Sequence, residues 1–76
     1  MTKEQLSKYE ELSNAVDAAH EDLTDAIQKL AAMSIGANER AIDYVIRLEN
    51  AMHDAIKCKK SLEQAQADKK AFVVAL

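Results

Sequence analysis

The sequence predicts an all-α protein: a two-helix antiparallel coiled-coil hairpin that dimerises into a four-helix bundle. Three observations carry this reading. The 76 residues include no proline and one glycine, Gly36, amid the Ala, Leu, Glu, Lys, Gln and Asp typical of helices and coiled coils. Apolar residues recur at steps of three and four on both sides of that glycine. The phase of the repeat breaks as it crosses Gly36.

The first helix, expected over about residues 3–35, has a legible start. Thr2 and Gln5 form a T-x-x-Q capping box, in which each side chain satisfies the other residue's backbone N–H. The seam then runs Tyr9, Leu12, Val16, Ala19, Leu23, Ala26, Leu30 and Met33, in strict alternation of three and four.

A turn is expected over about 36–38. Gly36 is suited to the left-handed residue that closes a helix, and Asn38 to the N-cap of the next. Continuing the first helix's phase past Met33 would place Arg40, Arg47, Asp54, Ser61 and Asp68 in the seam, all polar. A continuous helix could absorb that as one stutter, with a mid-helix glycine costing only ~1 kcal/mol. The coincidence of phase break, glycine and Asn38 favours a turn.

The second helix is expected over about 39–74. Its seam is Ala41, Tyr44, Leu48, Ala51, Ala55, Cys58, Leu62, Ala65, Lys69, Phe72 and Leu76. Lys69, its one charged member, can lay its methylenes along the seam and keep its ammonium wet. The many alanines allow close helix approach, toward the lower end of ~8–10 Å. A second apolar set lies off this seam: Ile42, Val45, Ile46, Met52 and Ile56, with Ile27 and Ile35 toward the same end. Two helices cannot cover that stripe themselves, so it is the expected interface with a second copy or another protein.

A single 76-residue helical domain with three aromatic residues buries little bulky apolar surface, which again points to self-association or a partner. The net charge of −3 is too mild for a polybasic binder. Its sign is uneven: residues 1–35 hold seven acids against three lysines, and residues 36–76 six acids against seven bases. Such halves attract weakly when laid side by side. One cysteine excludes an internal disulfide, fitting a reducing, cytoplasmic setting. No apolar run approaches the ~20 residues that span a bilayer.

Chemistry-bearing residues have plainer readings. His20 and His53 stand at one level if the turn centres on Gly36 and Ala37, with Asp17 and Glu49 one turn away. The spacings are D-x-x-H and E-x-x-x-H rather than the E-x-x-H of bundle metal sites, so no metal site is expected. Cys58 reads as a small seam residue. Lys57, Lys59 and Lys60 are the only basic concentration and could meet phosphates, but acids interrupt them and no stacking aromatic stands beside them. The acids of the first helix could occupy a partner's basic groove or simply solvate it. The terminal F-V-V-A-L closes the bundle end or enters a partner groove.

No nucleophile–base pair, phosphate loop or cofactor motif is present, so no catalytic or cofactor-binding residue is assigned and no small-molecule substrate is expected. The expected function is a non-enzymatic protein–protein interaction module: an adaptor, inhibitor or small chaperone. Its layout is that of helical hairpins among phage and bacterial accessory proteins, an analogy of architecture only. Binding of nucleic acid by a hairpin dimer, through Lys57, Lys59 and Lys60, is the alternative.

Overall fold

The computed structural model describes residues 1–76. Helix α1 spans Lys3–Ala31 and helix α2 spans Ala41–Ala75, with no strand. They lie antiparallel along most of their length in a rod of 60 × 15 × 12 Å. The chain is thus an all-α helical hairpin.

The capping box opens α1: Gln5 N–H donates to Thr2 Oγ1 at 3.1 Å, and Thr2 N–H donates to Gln5 Oε1 at 2.8 Å. The two seams are the least exposed surface of the molecule. Tyr9, Leu12, Val16, Leu23, Ala26 and Leu30 are half-buried, and Ala19 is 9 % exposed. Across from them Tyr44, Leu48, Ala51, Ala55, Cys58, Ala65, Lys69 and Phe72 are half-buried, with Leu62 at 7 %. Ala41 and Leu76, at the ends of the second seam, are exposed. Lys69 lays its ammonium over the Tyr9 ring, 5.1 Å from the centroid, which gives a charged seam residue an aromatic face to rest on. The cost is small but visible at Ser13, whose Oγ is buried with no hydrogen-bond partner.

The connection differs from the sequence expectation. Helix α1 ends at Ala31 rather than near residue 35, and α2 begins at Ala41 rather than 39, so the loop covers residues 32–40. Met33 remains half-buried, but in the loop, as is Ile35, which is exposed. Gly36 has no positive φ, so it is not a left-handed helix terminator. Ala32 caps α1 in the right-handed region instead, its N–H donating to the Gln28 carbonyl oxygen at 3.0 Å. Nor does Asn38 cap α2: Arg40 holds that position, extended, without a side-chain cap bond.

The reason lies in Glu39. Its N–H donates to the Gly36 carbonyl oxygen at 3.1 Å, and its carboxylate accepts from the Gly36 N–H at 3.0 Å. That is the reach-back of a capping box, closing one turn that the extended Arg40 then stops. Arg47 fixes the turn from α2. Its Nε and Nη2 each donate to Glu39 carboxylate oxygens at 2.7 Å, and Nη2 also donates to the Ser34 carbonyl oxygen at 3.0 Å. A planar guanidinium has the fork geometry for this, where a lysine would not.

Candidate functional site

Heptad geometry sorts the remaining side chains onto two faces. In an antiparallel pair, the column flanking one edge of the first seam shares a face with the matching column of the second. On one face these are Asp22 and Lys29 from α1 and Asp54 from α2. They line a shallow depression of about 290 Å³ together with Asp25, Ala26, Ala51 and Cys58. This face is polar.

The opposite face is apolar toward the loop. Its α1 column is Leu6, Ser13, His20 and Ile27. Its α2 columns carry Val45, Met52, Lys59, Gln66 and Val73, and beside them Ile42, Glu49, Ile56, Glu63 and Lys70. Ile27, Ile42, Val45, Met52 and Ile56 gather in the loop-proximal half. Ile46 sits at the rim and Ile35 on the adjoining loop. All seven are between 45 and 59 % exposed. Leu6 and Val73 extend the face at the far end and are also exposed. They escaped the sequence reading, although stepping back by sevens from Ile27 reaches Leu6 and forward by sevens from Met52 reaches Val73.

The register follows from contacts across the seam. Tyr9 meets Lys69, and Ala26 lines one depression with Ala51. The longer loop therefore shifts the pairing from that of a turn centred on Gly36 and Ala37. His20 stands level with Lys57 and Cys58, and His53 with Thr24, separating the histidines by roughly 7 Å along the axis. No three His, Cys, Asp or Glu side chains are grouped as metal ligands would be.

Cys58 is a free, half-buried thiol in the seam at the edge of the polar depression. The three lysines around it do not share one face. Lys57 and Lys60 are one turn apart on one side of α2 while Lys59 leaves from the other, and Lys59 Nζ lies 3.7 Å from Glu63 Oε1. The exposed C-terminal Val73, Val74 and Leu76 continue past the half-buried Phe72. No helix is long and apolar enough to cross a membrane.

The groups whose protonation the fold perturbs belong to the loop clamp. Hydrogen bonds from Arg47, then from the Gly36 N–H, hold the Glu39 carboxyl down to about 2 from an ordinary 4.5, against slight desolvation. The same pair raises Arg47. The clamp thus holds its full charge throughout the neutral range and fixes the loop beside the apolar face. Sequence reading missed it because the pair joins a loop residue to α2, and only the folded loop brings the two together.

No protein-family profile, curated protein or solved structure matches this chain.

Proposed function

We propose that this hairpin is a non-enzymatic protein–protein interaction module whose contact surface is the loop-proximal apolar face. One observation carries the reading. A chain whose only buried residues are Ala19 and Leu62 leaves Ile27, Ile42, Val45, Met52 and Ile56 side by side in solvent. Contiguous exposed apolar side chains on a helical protein mark a surface that another protein covers. Charged neighbours at Glu49, Lys59 and Glu63 supply the polar rim that such surfaces carry. The rigid hairpin and clamped loop present the face preformed, which lowers the ordering cost of binding. Adaptor, inhibitor and chaperone roles all use such a surface.

The test compares two baits, the wild-type chain and Ile46→Glu with Met52→Glu. Both substitutions are at exposed positions that leave the seam intact. A protein captured by the first and lost from the second supports the reading. A specific partner held equally by both refutes it.

A further inference from the structure

We infer that the apolar face is covered by a second copy of this chain, stacked face to face with both loops at the same end, so that α1 of each copy lies against α2 of the other. This rests on the reading of that face as a contact surface and names its occupant.

Area argues for a second copy. A compact monomer of 8.4 kDa exposes about 4600 Å², whereas this chain exposes 5901 Å². The excess is about 1300 Å² per chain, or about 2600 Å² for two, inside the ~2000–5000 Å² that obligate homodimers bury. Two hairpins stacked on this face form a four-helix bundle, the smallest assembly in which each helix has two packed neighbours.

Apolar matching fixes the direction. With the loops together, the apolar half of each face lies on the apolar half of the other, and Ile27 falls level with the partner's Met52. Leu6, at the far end, falls near the partner's Val73. Along the outer edge Glu10 then stands near the partner's Lys70 and Asp17 between the partner's Lys60 and Glu63, so charge there is mixed and the apolar match sets the direction.

With the loops at opposite ends, α1 lies against α1. Each apolar half then overlies the polar half of the other, with Met52 over the partner's Gln66 and Ile56 over the partner's Lys59 and the partner's Lys60. Sliding the copies to overlap the apolar halves instead sets Glu49 near the partner's Glu49 and leaves Leu6 and Val73 bare. The same-end stack is the arrangement that lays apolar half on apolar half along the full face and covers Leu6 and Val73 as well.

Sedimentation at tens of micromolar chain, together with a spin-label distance, tests both parts. The label is placed on the thiol of Asn38→Cys in a Cys58→Ala background, which leaves one site per chain. The expected result is a dimer whose loop labels lie within about 25 Å, roughly two helix diameters. A monomer overturns the second-copy assignment but leaves the contact-surface reading to the bait comparison above, so the two fail separately. A dimer with labels roughly 35 Å apart, as in the slid stack, or near the 60 Å rod length overturns the same-end arrangement. Met52→Glu with Ile56→Glu should lower the mass to that of one chain; an unchanged dimer overturns the choice of face. If that variant unfolds as it dissociates, the label distance on the unaltered face still decides.

Discussion

Leu62→Ala tests the hairpin at its most buried side chain. Leu62 is 7 % exposed, and truncation to alanine removes three carbon groups from the seam between α1 and α2. At ~0.8 kcal/mol per buried CH₂ the lost transfer free energy is about 2.4 kcal/mol. A narrow two-helix seam collapses more readily than a closed core, so the cavity contribution is small and the loss falls near the low end of the ~2–5 kcal/mol range. Alanine's better helix propensity returns only about 0.2 kcal/mol. The net expectation is a destabilisation of about 2–2.5 kcal/mol, or a fall in Tm of roughly 10–20 °C for a domain of this size. Thermal unfolding followed by circular dichroism at fixed chain concentration measures it. On an isolated helix Leu62 would be solvated and the same change neutral or slightly stabilising. A loss under about 1 kcal/mol would therefore refute the packing described here.

Three further outcomes follow from the loop and from Ser13. Gly36→Ala should stabilise by about 0.4–1 kcal/mol by restricting the unfolded chain. Its φ is not positive, and the added Cβ meets only the Glu39 side chain, at 3.4 Å; a loss above about 1 kcal/mol in urea unfolding would contradict this backbone. Glu39 has a folded pKa below its unfolded one, so its stabilisation is present above pH 4.5 and fades as pH falls toward about 2. Glu39→Gln should therefore lose less Tm than wild type over that window, and parallel profiles would show that the clamp does not form. Ser13→Ala removes an unpartnered buried hydroxyl and improves helix propensity, so a gain of about 1 kcal/mol is expected in chemical denaturation. Destabilisation there would mean the hydroxyl has a partner in solution.

Most of the fold was legible because a heptad repeat is a property of the chain itself. Tyr9 through Leu30 and Tyr44 through Phe72 are shielded in the order their spacing gives, since steps of three and four can face only one neighbour. The loop was not legible. Gly36 and Asn38 each match a helix-terminus preference, but Glu39 binds Gly36 N–H and Arg47 binds Glu39, a tertiary arrangement that overrides both. The two helices therefore stop short of their expected ends, and the register shifts with them. As for the face, Ile27, Ile42, Val45, Met52 and Ile56 were visible as an unused stripe. Its far members Leu6 and Val73 were not, because Ser13, His20, Lys59 and Gln66 interrupt the apolar columns between.

The Arg47 clamp also gives this symmetric-looking rod a direction in time. Contacts that bring the two arms together join residues ever more distant along the chain, from Arg47 of α2 and Ser34 at the start of the loop, 13 residues apart, to the distant pair Tyr9 and Lys69. Closing a loop costs entropy that grows with the logarithm of its length, so pairing begins most cheaply at the clamp and proceeds turn by turn toward the termini. Opening should run the other way, because the ends are the least anchored part. Native-state hydrogen exchange should accordingly show protection falling from the helix turns beside Leu30 and Leu48 outward to those beside Tyr9 and Phe72, and uniform protection along both helices would contradict this order. Fastened at one end, the hairpin behaves as a zipper whose open ends, Met1 and Leu76, are the first to admit water.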